Sequence, residues 1–492
     1  MAKRIIIVGA GPGGLTAGML LAQKGYQVDL FEKNPEVGGR NAPLRIGEFT
    51  FDTGPTFLMM VRILEEIFTE CGKRLEDYLV LKKIDPLYRL SFPGGIDFSP
   101  SDDEERMVAE IDRVFPGEGL AYRSFKRKEG LKFDVVYPCL KVPYGHRWDY
   151  LKPRFLKALP RLDPLASVYD RLSSYFRSDY LKLAMTFQAK YLGMSPWQCP
   201  ATFTIIPIIE HRWGLFHPIG GLNAISQAMG KAIEEAGGKI HLSNPVQEVL
   251  VRGGKAVGVT LADGRVEEGE ALVLNPDFAW AMRHLVKAEH RRKYGDKKIA
   301  SMDYSCSTFM LYLALDRRYD IPHHNIVFAK DYRQNIEEIV TRKALSADPS
   351  FYLQNASVTD PTLAPPGKSA LYVLVPVSNQ TSGIDWDKEK TGFRNRIVAL
   401  IKERTELNDL DQHILGEKVI TPRDWERDYH VYQGATFNLS HRIGQMLYFR
   451  PHNRFEEFGN CYLVGGGTHP GSGLPTIFQS GRIAAQLIGE TI

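Results

Sequence analysis

The sequence predicts an α/β fold: a parallel sheet with helices, plus an inserted domain that has a mixed or antiparallel sheet and helices of its own. Residues 5–8 are a short, continuous β-branched run, the pattern of a strand buried on both faces. That run leads into Gly9-Ala10-Gly11-Pro12-Gly13-Gly14 and then a helical pattern. Near the far end, residues 461–464 repeat the order of strand, Gly-rich loop and helix. Residues 1–60, 215–295 and 431–492 therefore read as one discontinuous domain. Residues 61–214 and 296–430 read as the insertion.

Gly9, Gly11 and Gly14 stand in the spacing G-x-G-x-x-G of a Rossmann-like dinucleotide site. The first glycine permits the tight turn, the second lets backbone approach a pyrophosphate, and the third lets the helix pack close to the strand. The helix N-terminus aims free N–H groups and a positive dipole end at the diphosphate. Glu32 ends the second strand pattern, eighteen residues past Gly14, where a carboxylate accepts hydrogen bonds from ribose hydroxyls. A turn that binds nothing would have to explain three placed glycines and the Glu together.

Gly38-Gly39-Arg40 follows closely. The extended pattern resembles the FAD-binding superfamily that includes amine oxidases, protoporphyrinogen oxidase and carotenoid desaturases. The resemblance implies FAD, with Gly39 and Arg40 in its site and Arg40 near the diphosphate, where a guanidinium pairs with its charge. A solvated turn residue is the other reading of Arg40.

Composition sets bounds. The 492 residues, 43% hydrophobic and 24% charged, suit a globular protein of two or more domains. Five scattered cysteines without a CxxC argue against a disulfide framework or a zinc site, and fit a reducing compartment. Lys3-Arg4 before an apolar run imitates a signal peptide, but the glycines break the run and no cleavage site follows. No stretch reaches eighteen uninterrupted apolar residues, so no transmembrane helix is expected.

In chain order, residues 49–56 read as a strand that turns at Gly54-Pro55. Residues 61–80 read as a helix with Ile63, Leu64, Ile67 and Phe68 on one face and Cys71-Gly72 as its stop. Residues 87–98 read as a hairpin through Pro93-Gly94-Gly95. Residues 121–161 hold eleven Lys/Arg against three acids, net +8 where the whole chain is +4. Tyr122, Phe125, Phe133, Tyr137, Tyr144, Trp148, Tyr150 and Phe155 are interleaved. Cations attract anionic headgroups and amphipathic aromatics settle among them, so membrane contact is one reading. A solvated basic surface is the other, and nucleic acid is not expected as a partner. Short strand patterns at 239–242, 246–251, 256–261 and 269–274 return the chain to the first domain. Strand-like runs at 307–315, 326–328, 351–353 and 370–377 predict an antiparallel sheet, with a helix over 391–406 covering one side. The loop from Gly465 to Pro475 again meets a helix N-terminus, and two such loops at opposite ends of the chain suit a long, extended FAD. Val246, Gly466, Gly467 and Pro475 join the expected cofactor positions.

Gly467-Thr468-His469-Pro470-Gly471-Ser472-Gly473-Leu474-Pro475 resembles the signature of bacterial carotenoid desaturases, the phytoene and dehydrosqualene desaturase family. Phe51-Asp52-Thr53-Gly54-Pro55-Thr56, Leu363-Ala364-Pro365-Pro366-Gly367 and Phe449-Arg450-Pro451-His452-Asn453 resemble the same family. The resemblance implies non-covalent FAD and a long acyclic polyene dissolved in membrane lipid. It also implies loss of two hydrogens from adjacent methylenes, oxygen or a quinone as electron acceptor, and a cytoplasmic enzyme held peripherally on the inner face of the cell membrane. Asp149 and His469 are the expected catalytic candidates. Asp149 lies where the resemblance puts an acid bordering the active site, though Lys152 stands where a family example has arginine, and a surface counter-charge in a basic run is the reading favoured for it. His469 lies either beside the flavin or as a loop cap. A flavin-dependent carotenoid isomerase and a non-catalytic carotenoid or lipid carrier are the alternatives. Thr56-Phe57-Leu58-Met59-Met60, Cys71-Gly72-Lys73 and the run from Asp303 to Ser307 look closer to the thirty-carbon dehydrosqualene branch.

Overall fold

The structure, a computed structural model, describes residues 2–492, without the side chains of Lys190 and Tyr191. Five strands form a parallel sheet in the order Cys461–Leu463, Ala271–Leu274, Arg4–Val8, Gln27–Phe31, Lys239–His241. Its central strand is covered on both faces, which is why its sequence is continuously apolar rather than alternating. Ile5 and Ile7 pack with the helices Pro12–Gln23, Asn223–Glu235 and Leu474–Thr491. Ile6 and Val8 face the other way, toward the three-stranded antiparallel sheet Val246–Arg252, Lys255–Leu261, Val266–Glu268. A Cβ at Gly14 would lie 2.3 Å from the Gly9 carbonyl oxygen, so the helix could not start this close to its strand with any other residue.

The second sheet has seven strands, in the order Ile414–Ile420, Ser307–Leu315, Ser369–Val377, Phe351–Asn355, His324–Val327, Arg89–Phe92, Ile96–Phe98. Its pairs are antiparallel except His324–Val327 with Arg89–Phe92, which is parallel. All nine residues of Ser307–Leu315 are buried, and alternation decides against what. Phe309, Leu311 and Leu313 pack on Trp386, Phe393 and Ile397 of the helix Trp386–Arg404. Met310, Tyr312 and Ala314 turn to the opposite face, with Tyr372, Phe49 and Phe51.

Two expectations change. The helix expected over 61–80 is Val61–Glu70, closed by Cys71 and Gly72 and followed by a short turn at Leu75–Asp77. The aromatics of 121–161 are mostly core: Tyr122, Phe125, Phe133, Tyr137, Tyr144 and Phe155 are buried, and Trp148 alone among the eight is exposed, at 76%. The helix Gly119–Leu140 turns several of them inward.

Candidate active site

The two sheets and the loops between them enclose a cavity of about 450 Å³. Gly9, Gly11, Glu32, Gly39, Arg40, Val246, Gly466, Gly467 and Pro475 line it. Gly14 does not; it lies beneath the turn, where it sets the helix against the strand. The first and last expected loops, more than 400 positions apart in the sequence, thus face one space.

Glu32 is buried at the end of its strand. Its Oε2 accepts from the Ala10 N–H (2.7 Å) and its Oε1 from the Asn34 N–H (3.0 Å), which fixes the carboxylate beside the first turn. Arg40 is a half-buried residue whose guanidinium, enclosed at its charged end, donates to the Thr436 carbonyl. The Asn438 amide, in the orientation that satisfies both ends, accepts from Arg40 Nη2 (3.0 Å) and donates to Asp277 Oδ2 (2.6 Å). Burial pulls the Arg40 pKa down, opposed by Asp277, and burial pushes the Asp277 carboxyl up. A buried guanidinium on the cavity wall gains from a bound anion, because none of the carboxylates around it forms a direct ion pair with it among the described residues. Thr436 also lines the cavity, and its Oγ1 is buried without a partner among the described residues. A helix N-terminus, a glycine turn, a buried cation and an orphaned hydroxyl on one wall fit a dinucleotide diphosphate.

The far half of the cavity is built by the seven-stranded sheet. Met310, Leu374, Ile326, Phe57 and the rings of Tyr352 and Tyr372 line it, and Tyr88 and Phe187 stand in its wall with ring centroids 5.0 Å apart. Hydroxyls from the sheet hold the loop of residues 53–56: Tyr312 donates to the Thr53 carbonyl (2.6 Å), Tyr372 to the Gly54 carbonyl (3.0 Å) and Tyr352 to Thr56 Oγ1 (2.9 Å). Sequence reading missed these tyrosines, since nothing in an apolar strand marks which residues face a cavity.

Neither expected catalytic residue reaches this space. Asp149 Oδ2 accepts from the His146 N–H (2.9 Å) and caps the turn Arg147–Leu151, while Oδ1 pairs with Lys152 (2.6 Å). Burial works against its charge, but Lys152 and the His146 N–H outweigh it and hold the carboxyl below its usual range. His469 turns its ring away from the cavity. Its Nε2 bonds the Val142 carbonyl (2.9 Å), and its ring meets Tyr144 edge-on. Burial pushes its pKa down to about 3, so the ring is neutral and donates to that carbonyl, tying the glycine loop to the helical insertion.

Arg450 is the second omission. It is fully buried and donates to five carbonyls: Gly466 (2.7 Å), Thr468 (3.0 Å), Leu439 (3.1 Å), Gln445 (3.2 Å) and Ser440 (3.3 Å). Asn453 adds donations to the Leu463 and His469 carbonyls. The signal was present in the Phe449–Asn453 motif, whose polar members clamp the loop rather than meet a ligand.

A family model for flavin containing amine oxidoreductases matches residues 12–489. The chain is 51% identical to a 4,4'-diapophytoene desaturase (4,4'-diapolycopene-forming) of a Methylomonas species, over 99% of this chain and 95% of that protein. The chain belongs to the bacterial carotenoid desaturases. It is 37% identical to an all-trans-zeta-carotene desaturase of Myxococcus xanthus, over 99% of this chain and 93% of that one. Among solved structures, cyclohexylamine oxidase from Brevibacterium oxydans shares the fold with a TM-score of 0.63 at 16% identity, covering 100% of this chain and 99% of that chain. Like other carotenoid desaturases of this flavin-containing family, the protein is an oxidoreductase, and its cofactor is FAD.

Proposed function

We propose that this desaturase acts on the thirty-carbon precursor 4,4'-diapophytoene and removes hydrogens from adjacent methylenes so that the conjugated segment lengthens. The observation that carries the reading is the single cavity with two unlike ends, a glycine wall suited to the diphosphate and an apolar wall suited to a polyene. The relative with 51% identity supports the thirty-carbon branch. In this reading Gly9, Gly11, Glu32, Gly39, Arg40, Val246, Gly466, Gly467 and Pro475 hold FAD. Glu32 takes the ribose hydroxyls and Arg40 the diphosphate. When bound, FAD supplies the hydride acceptor. The chain's own work is to exclude water and to align a carbon–hydrogen bond, since a cation beside a polyene is already stabilised by resonance.

Membrane docking through residues 147–161 completes the reading. Trp148, Leu151, Leu156 and Leu159 are 76%, 60%, 49% and 49% exposed among Arg147, Lys152, Arg154, Lys157 and Arg161. Phe449 is 56% exposed next to Tyr448, whose N–H donates to Tyr150 Oη (3.3 Å), so the apolar patch continues there. No helix among the described residues is long and apolar enough to cross a membrane, so the attachment is peripheral in this reading, and electrons leave to oxygen or a membrane quinone.

The test is expression in cells supplied separately with 4,4'-diapophytoene or phytoene, with pigments read by absorbance and mass. Loss of two or more hydrogens from the thirty-carbon compound in preference to phytoene supports the proposal. Preference for phytoene moves the enzyme to the forty-carbon branch, and conversion of neither sinks the substrate assignment.

A further inference from the structure

Nothing in the site described so far accepts the proton that must leave the polyene when the hydride departs. The apolar half of the cavity wall holds a group suited to it. His324 opens the strand His324–Val327 and lines the apolar half of the cavity. It is 1% exposed, and the ring of Phe57 meets it edge-on at 5.5 Å. Its Nδ1 lies 2.7 Å from Tyr352 Oη, and Tyr352 donates its single proton to Thr56 Oγ1 (2.9 Å). With that proton spent, Nδ1 must be the donor in its own bond, so Nε2 keeps a free lone pair. Nε2 is buried and has no partner among the described residues.

Behind the ring stands a file of polar side chains. The His323 ring lies 4.3 Å behind His324, and His217 follows at 5.0 Å from His323. His217 Nε2 pairs with the buried Asp360 carboxylate (3.0 Å), and Gln354 links His323 to Asp52. A polar pocket with two carboxylates thus backs an otherwise apolar wall.

We infer that His324 is the catalytic residue that takes the substrate proton through Nε2, and that Tyr352 is a positioning residue that fixes its tautomer. The inference rests on the desaturase reading. The hydride would leave one carbon with both electrons of its bond, and FAD, when bound, would supply its acceptor. The neighbouring carbon gives its proton to Nε2, and the electrons of that second bond close the new double bond. His324 becomes an imidazolium whose Nδ1–H stays on Tyr352 Oη. A proton beside an allylic cation is strongly acidic, so a weak base suffices, and a neutral imidazole keeps a full anion away from the cationic chain. Burial holds the ring neutral, with its pKa down at about 3.

The test measures anaerobic bleaching of the flavin by 4,4'-diapophytoene, and separately by phytoene, in detergent micelles. His324→Gln should keep its FAD absorbance and bleach about 100-fold more slowly, the scale of a lost general base. Deuterium at the proton-losing carbon should then slow the variant more than the parent protein, a change that a merely structural role would not produce. Bleaching within about threefold of the parent, with an unchanged isotope effect, overturns the assignment. If His324→Gln fails to bind FAD, Tyr352→Phe carries the test: it should slow bleaching with FAD retained, and no slowing refutes the role. Imidazole 15N spectra of the histidine-labelled protein give a reading apart from turnover, and a proton found on His324 Nε2 also refutes it. A parent flavin that stays oxidised with both polyenes sinks the desaturase reading itself, whereas a parent and a His324→Gln variant that bleach alike sink only this inference.

Discussion

The two ends of the cavity are made of different material. The glycine end is backbone: Gly9, Gly11, Gly39, Gly466 and Gly467 bring main chain to the wall, and polar side chains, Glu32, Arg40 and Thr436 among them, finish it. The sheet end is mostly side chain: Tyr352, Tyr372, Met310 and Leu374 stand on paired strands, and Phe57 joins them from the adjoining loop. A backbone wall fails when an atom is added, and a side-chain wall changes when one is removed. The glycine end should therefore be brittle and the sheet end tunable.

The largest effect is expected at Gly11. A Cβ there would sit 2.9 Å from the Asn275 amide, and valine adds two methyls to the wall proposed for the diphosphate. Gly11→Val should abolish FAD binding while the protein folds; a purified variant with full flavin absorbance would remove the backbone argument. Next, Arg450→Met leaves five carbonyls without their donor, at about 1–3 kcal/mol for each one that water cannot reach. A fall in melting temperature together with loss of bound flavin is the expected outcome, measured by calorimetry and absorbance, and unchanged flavin content would show that the clamp does not hold the loop. Third, Tyr88→Ala or Phe187→Ala should open the apolar wall and raise forty-carbon over thirty-carbon turnover by about tenfold. An unchanged ratio would mean that the polyene does not reach them. Arg147, Lys152 and Arg154 changed together to Ser should weaken binding to anionic vesicles by about 1 kcal/mol per cation, and binding should fall with salt. Salt-independent binding would leave only the apolar patch. The smallest effect is Tyr372→Phe, which removes one bond to the Gly54 carbonyl at about 1 kcal/mol of stability and should leave flavin content alone.

The same contrast explains what could be read from the sequence. Gly9 to Gly14, Glu32 and the loop after Cys461 are local motifs, in which a few neighbouring residues carry the whole geometry, so they are legible without knowing the fold. Tyr312, Tyr352 and Tyr372 acquire a role only through register: Tyr312 sits opposite Tyr372, and Tyr352 opposite Leu374. Until the strands pair, those tyrosines look like any others in an apolar strand. The basic aromatic segment is only partly legible, for a different reason. Tyr122, Phe125, Phe133 and Tyr137 recur at helical spacing, which places them on one face of Gly119–Leu140. That signal was available, and it points inward. Asp149 and His469 drew attention by their chemistry, yet one closes a turn and the other anchors a loop.

Arg450 has an electrical consequence as well as a mechanical one. A trans peptide plane sets its N–H opposite its C=O. Drawing the Gly466 carbonyl onto the guanidinium at 2.7 Å therefore turns the Gly467 N–H the other way, away from Arg450. A cation outside the cavity lining thereby fixes the orientation of a peptide dipole in the loop that lines it.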